Sequence, residues 1–163
     1  MPSCRIIQLP VEEVLEFVAY AWPARGCAST DWPLEPGAVR RDAQQQPALL
    51  HFAPGRWLAP VPAPELRRLL ENTASAGAGS LVDASGKWVS VEVAGAEAAR
   101  LLACTLDIEA VLGHRDCAAV TLFDCPAVVA RVAQDFRLWV QASYAAYLLA
   151  TARECGAGLG YAA

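Results

Sequence analysis

Six cysteines, two histidines, one acid at a strand end and a few serines are the side chains of this 163-residue chain that could do chemistry. The cysteines stand at positions 4, 27, 104, 117, 125 and 155. None forms a C-x-x-C pair, and Cys117 and Cys125, the closest two, have seven residues between them. Metal and redox cysteines are usually spaced more tightly than that. Cys117 and Cys125 lie in apolar strand sequence, where cysteine packs as a small hydrophobe. A thiol enzyme would need a cation close to the thiolate, and the sequence supplies none immediately beside either residue.

The histidines, His51 and His114, are isolated from one another and from any H-E-x-x-H pattern, so a hydrogen-bonded or exposed role is expected for both. Gly113-His114-Arg115-Asp116 gathers polar groups ahead of a strand, as a solvated turn or a functional loop. Asp83 ends an apolar strand before a turn. The expected role is an Asx turn closed through Ser85 or Gly86, with a ligand contact as the alternative. Ser80, Ser85 and Ser90 have no adjacent base, and no G-x-S-x-G is present. No G-x-G-x-x-G or G-x-x-x-x-G-K-[ST] cradle for phosphates occurs either. Gly156-Ala157-Gly158-Leu159-Gly160 follows a helix instead of opening one, and is expected to be a helix stop and a frayed tail.

Composition narrows the function classes. Apolar residues make up 55% and charged residues 18% of the chain. Two explanations stay open: a bias toward alanine, or a surface partly covered by another protein. The five tryptophans favour the second, because large rings are hard to spread through a small core. A net charge of −4 argues against nucleic acid or an anionic membrane as partner. No window reaches the roughly 18 apolar residues needed to span a bilayer. Glu12, Glu13 and Glu16 interrupt what would be the apolar run of a secretory signal. The expectation is a cytoplasmic protein with free thiols.

The length suits one domain. Residues 1–47 are expected to hold an N-terminal helix and an irregular segment, residues 48–154 the core, and residues 155–163 a tail. Val11, Val14, Leu15 and Val18 have helical spacing between Pro10 and Pro23, predicting a helix from Val11 to Ala21. Residues 22–47 show no sustained periodicity and read as an irregular connection, one that lies on a partner or holds an unrecognised strand. Leu49–Ala53 and Arg56–Val61 read as strands around Ala53-Pro54-Gly55-Arg56. Pro64 opens a helix whose face is Leu66, Leu69 and Leu70. Ser80–Asp83 and Lys87–Val93 are predicted to pair across Ala84-Ser85-Gly86. Val89, Val91 and Val93 share one face of the second strand. A helix carrying Ala98, Leu101 and Leu102 follows Gly95. Cys117–Phe123 and Ala127–Val132 read as strands around Asp124-Cys125-Pro126. Phe136, Leu138 and Val140 then alternate with Arg137 and Trp139. Ser143 is the expected N-cap of a last helix, with Tyr144, Tyr147, Leu148 and Thr151 as its inward stripe. Strand pairs separated by helices define an α+β class, mostly antiparallel strands with packed helices.

Particular residues in this order resemble a known family. They are Leu50-His51-Phe52-Ala53-Pro54-Gly55-Arg56-Trp57-Leu58, Asp83-Ala84-Ser85-Gly86-Lys87, Val93-Ala94-Gly95 through Ala99-Arg100-Leu101-Leu102, and Thr105-Leu106-Asp107-Ile108. The series continues with Asp116-Cys117-Ala118, then Phe136-Arg137-Leu138-Trp139-Val140 and Ser143-Tyr144-Ala145 with Tyr147-Leu148. Together, from Leu50 to Leu149, they resemble the gamma subunit of heterotetrameric sarcosine oxidase. More broadly they resemble the folate-binding domain of the glycine-cleavage aminomethyltransferase. The chain departs from that pattern at Ala119, where the family has Arg, at Thr105, where it has Pro, and in its N-terminal third.

The resemblance implies a folate-binding, aminomethyltransferase-like fold and a non-catalytic companion that packs on an alpha subunit. It places flavin, NAD and tetrahydrofolate on the partner alpha and beta subunits, with no cofactor, metal or catalytic residue on this chain. Trp22 and Trp32 are the expected partner-binding residues, since tryptophan is enriched in binding hot spots. Rings that merely fill the core are the opposing possibility. The alternative function is a stand-alone tetrahydrofolate-binding domain assisting one-carbon transfer.

Overall fold

The computed structural model of the protein describes residues 4–21, 32–33 and 35–159. Two five-stranded antiparallel sheets stack face to face among these residues. Sheet I has the order β1-β7-β10-β9-β8, built from Arg5–Gln8, Trp88–Ala94, Asp135–Gln141, Cys125–Val132 and Cys117–Leu122. Sheet II has the order β3-β4-β5-β2-β6, built from Val39–Arg41, Pro47–Ala53, Arg56–Pro60, Val14–Ala19 and Gly79–Asp83. Helices α2 (Ala98–Leu102), α3 (Ile108–Leu112) and α4 (Ala142–Gly158) cover the outer face of sheet I, and α1 (Pro64–Ser75) covers that of sheet II. The α+β class expected from the sequence, antiparallel strands with packed helices, is what the chain adopts.

Each sheet is buried on both faces, which explains most departures from the sequence reading. The predicted helix over Val11–Ala21 is strand β2, which lies between β5 and β6. Val14 and Glu16 turn toward the layer between the sheets, whereas Leu15 and Phe17 turn toward α1. A strand buried on both sides carries a near-continuous apolar run, and a short run of that kind also fits a helix. The segment read as irregular does hide a strand, β3.

Ser80–Asp83 and Lys87–Val93 do not pair with each other. β6 pairs with β2 in sheet II, while β7 pairs with β1 and β10 in sheet I. Residues 84–87 therefore form a corner between sheets. Ala84 is buried in the inter-sheet layer, and its N–H donates to Val14 O at 2.8 Å. A hairpin and a corner use the same turn residues, so alternation alone does not separate them.

The last third is closer to expectation. β8 and β9 meet at a two-residue turn, Phe123-Asp124, with φ of 49° and 61°. Positive φ at both residues is the type I′ geometry that matches strand twist. Cys125 and Pro126 thus begin β9 instead of forming the turn. Phe136, Leu138 and Val140 face the helices, and Trp139 fills the layer between the sheets. Helix α4 starts at Ala142 with Gln141 as N-cap, so Ser143 lies inside the helix and is not its cap. Its buried stripe is Ala145, Leu148, Leu149, Ala152 and Gly156. Tyr144 and Tyr147 are exposed, contrary to expectation. Small residues on the inward face let the helix lie close to the sheet, where a tyrosine ring has no room. The helix also continues through Gly158, into the segment expected to be a tail.

Candidate functional site

The sequence candidates scatter over the structure and mostly resolve into packing. Asp83 closes its own turn: the Ser85 N–H and hydroxyl donate to Asp83 Oδ1 at 3.0 and 2.6 Å. Those two hydrogen bonds hold the carboxyl below the usual range. The Ser85 hydroxyl oxygen in turn accepts from Val14 N at 3.0 Å, so this acid organises the corner between the sheets.

Cys117 and Cys125 are fully buried, and their thiols lie against Ala38 O and Phe123 O at 3.7 and 3.4 Å. Burial pushes the Cys117 thiol up to about 12 and raises that of Cys125. Neither is poised to form a thiolate. His51 is buried, stacks on Trp57 with ring centroids 4.3 Å apart, and accepts from Gly55 N at 3.3 Å. His114 is exposed in the turn after α3. The Gly113–Asp116 segment is a packing junction: Asp116 and Cys117 N–H both donate to Gly37 O, and Gly37 N donates to His51 O. Gly37 has φ of +96°, and a Cβ there would come within 2.8 Å of the Arg115 side chain. Glycine is required on both counts.

Trp32 is 4% exposed and packs edge-on to Phe17 and Trp57, at 5.3 and 5.5 Å. Its ring fills the core of sheet II, so it is not an exposed docking aromatic. Trp22 lies outside the described residues. Among the described residues the exposed large hydrophobic side chains are instead Ile7, Val11, Tyr20, Val61, Val82, Tyr144 and Tyr147. Sequence periodicity gave no signal for these, since an exposed apolar residue and a buried one look alike until the neighbours are known.

Among the grooves that the described residues form on the surface are two that hold an arginine against other polar groups. One, of about 680 Å³, runs along Gly95, Ala99, Glu109, Arg131 and Asp135. Arg131 closes on Glu109 with two hydrogen bonds of 3.1 and 2.7 Å, which holds the Glu109 carboxyl below its ordinary range. The second, of about 330 Å³, is bounded by Glu12, Asp42, Gln44, Gln46, Val61 and Arg137. Arg137 bonds Gln46 Oε1 at 3.3 Å, and its buried Nε has no acceptor among the described residues. At the rim, Val61 has φ of 43° and stands 60% exposed, with its N–H bound to Glu13 O. A β-branched residue in that conformation is strained. Among the described residues, no three His, Cys, Asp or Glu side chains stand together as a metal-ligand set, and no helix is long and apolar enough to cross a membrane. Apolar and guanidinium groups line these surfaces.

No family model matches the sequence, and no curated protein matches it. Solved structures do. A chain of the heterotetrameric sarcosine oxidase from Corynebacterium sp. U-96, in complex with pyrrole 2-carboxylate, superimposes with a TM-score of 0.77 at 18% identity. The match covers 98% of this chain and 87% of that one. The glycine cleavage system aminomethyltransferase T from Bartonella henselae superimposes with a TM-score of 0.61 at 11% identity. It covers 93% of this chain, which spans only 45% of that protein. The likeness is one of fold.

Proposed function

We propose that this chain is a non-catalytic, gamma-type subunit of a heterotetrameric sarcosine (N-methyl amine) oxidase, a structural companion packing on the alpha subunit in the cytoplasm. In this reading flavin, NAD and tetrahydrofolate are carried by the alpha and beta subunits. The observation that carries it is the mutual coverage with the sarcosine oxidase chain, 98% one way and 87% the other. A fold shared with part of a large enzyme would match one way only, as it does with the aminomethyltransferase. The exposed valines and tyrosines support the same reading, because an obligate subunit buries such residues against its partner.

The test is co-expression with candidate flavin-carrying chains of a sarcosine oxidase type. A complex that purifies with flavin absorbance and oxidises an N-methyl amine, and that loses stability when this chain is omitted, is the expected result. A chain that stays alone in the presence of those partners overturns the proposal. Saturable micromolar quenching of its tryptophan fluorescence by a folate would instead favour a stand-alone tetrahydrofolate-binding domain.

A further inference from the structure

The grooves at Arg131 and Arg137 use their charges differently. Arg131 is closed on Glu109 by two hydrogen bonds, so that pair satisfies itself. Arg137 shares its groove with Glu12 and Asp42, but among the described residues no ion pair joins it to either. A guanidinium carries five N–H donors. Arg137 places one, Nη2 on Gln46 Oε1 at 3.3 Å, with Glu92 Oε2 a further 3.8 Å contact. Its side chain is only 18% exposed, so water has little access to the rest. Each acid is half used as well. Glu12 Oε2 accepts from the Ser90 hydroxyl at 3.0 Å, and Asp42 Oδ1 from Gln44 N and Gln46 N at 2.9 and 2.8 Å. Among the described residues, Glu12 Oε1 and Asp42 Oδ2 accept no hydrogen bond.

Strand register sets the spacing. Across β10 and β7, Arg137 pairs with Glu92 and Trp139 with Ser90, so Ser90 is the diagonal neighbour of Arg137 on the same face. Such neighbours lie about 7–8 Å apart. Ser90 thus ties the Glu12 carboxylate near the guanidinium without letting the two close on each other. The walls are apolar, with Pro60 and Ala63 on one side and Val61 at the rim. Val61 keeps a side chain at φ of 43°, where glycine would relieve the strain. Strain of that kind clusters at ligand clamps.

We infer that this groove binds a small zwitterionic amino acid with a short aliphatic side chain. The carboxylate lies on the spare N–H groups of Arg137, the ammonium on the spare oxygens of Glu12 and Asp42, and the side chain against Pro60 and Val61. A carboxylate that brings no ammonium meets two acids, and an amine that brings no carboxylate meets the guanidinium. A zwitterion answers both and adds no net charge. The volume, about 330 Å³, is at the small end for ligand sites and suits a molecule of this size.

Calorimetric titration of the full-length chain, without partners, tests this. L-valine is compared with 3-methylbutanoate, which lacks the amine, and with 2-methylpropylamine, which lacks the carboxylate; glycine, L-alanine and L-proline vary the side chain. Valine should bind at a single site, and its two truncated analogues about tenfold more weakly or worse. Glu12→Gln keeps an oxygen for Ser90 and removes the charge, so it should weaken valine and tighten 3-methylbutanoate. Arg137→Lys keeps the charge and loses the fork, so it should weaken both. Val61→Gly should weaken valine and leave glycine unchanged. Circular dichroism confirms that each variant is folded. The inference is overturned if none of the four amino acids binds at roughly 20 mM, or if 3-methylbutanoate binds as well as valine. It is also overturned if Glu12→Gln shifts both ligands in the same direction, as a merely structural role for that acid would. Because the free chain is the sample, failure here is separate from failure of the subunit proposal.

Discussion

The two sheets solve the same packing problem with different side chains. The outer face of sheet I is covered by three helices over a largely aliphatic core of Val91, Val93, Leu101, Leu138, Val140 and Leu148. The outer face of sheet II has one long helix, and its core is aromatic: Phe17, Trp32 and Trp57 meet with ring centroids 5.3 to 5.7 Å apart. Sheet II also encloses polar groups. His51 stacks on Trp57, and Glu16 accepts hydrogen bonds from Lys87 at 2.7 Å and from Trp88 Nε1 at 2.5 Å. Aliphatic side chains fill a helix–sheet gap by number. Rings fill it by size, and each ring carries more of the stability. The two faces should therefore respond differently to truncation, while the inter-sheet layer built by Leu50, Leu58, Cys117, Val128 and Trp139 holds them in one cooperative unit.

Removing one ring is the strongest way to break that comparison. Trp57 is fully buried, and its indole N–H donates to Pro33 O at 2.9 Å. Trp57→Ala should cost about 3–5 kcal/mol, the range for aromatic truncation in a close-packed core. Leu138→Ala, at an equally buried site in sheet I, should cost less than Trp57→Ala, within the range of about 2–5 kcal/mol for leucine truncation, because fewer contacts are lost. Urea unfolding followed by fluorescence and by far-UV circular dichroism measures both, with coincident transitions expected in each variant. Separate transitions for the two probes would show that the sheets unfold as independent units.

The inter-sheet layer can be tested by pH through Cys117, whose thiol burial pushes up to about 12 from an ordinary 9.0. Below pH 9 the thiol is protonated both folded and unfolded, and the favourable contribution is whole. As pH rises from 9 toward 12, the unfolded chain gives up this proton while the folded chain keeps it. Stability is therefore lost across that window, by up to about 4 kcal/mol at about 1.4 kcal/mol per unit. Cys117→Ala, compared with wild type between pH 8 and pH 10.5, should flatten the fall in urea midpoint by the equivalent of about 2 kcal/mol. The slope is the readout, because the cavity left by alanine lowers both ends equally. Parallel slopes would mean that water reaches the layer and that the sheets are less tightly joined than described.

The contrast between the sheets also explains what could be read in advance. Sheet I was largely legible, since Phe136, Leu138 and Val140 alternate with Arg137, and β8 and β9 are joined locally. Sheet II was not. The interior strand β2 pairs only with strands distant in sequence, and Val14, Leu15, Glu16 and Phe17 are all buried, so no alternation marks it. The site followed the same logic. The Asx turn of Asp83 rests on residues two apart and was readable. The grooves at Arg131 and Arg137 draw on several separate elements each, and the exposure of Tyr144 and Tyr147 depends on which side of α4 meets the sheet. In an alanine-rich helix, adjacent stripes are almost equally apolar, and only the small inward residues decide between them.

The smallest effect separates local signals that look alike. Asp107 and Ser143 are both residue types that cap helices, but only Asp107 does so here. Its carboxylate accepts from Ala110 N at 3.1 Å at the start of α3, in sheet I's helical layer. Ser143 sits one residue inside α4, whose first turn has no side-chain cap. Asp107→Ala should cost about 1 kcal/mol, the usual loss when a capping oxygen is removed. Ser143→Ala should fall within about 0.5 kcal/mol of wild type, because alanine is the better helix former at an interior position. Thermal melts of the two variants side by side resolve that difference. Equal costs would mean that α4 begins later than Ala142, with Ser143 as its cap, and that β10 does not run directly into the helix.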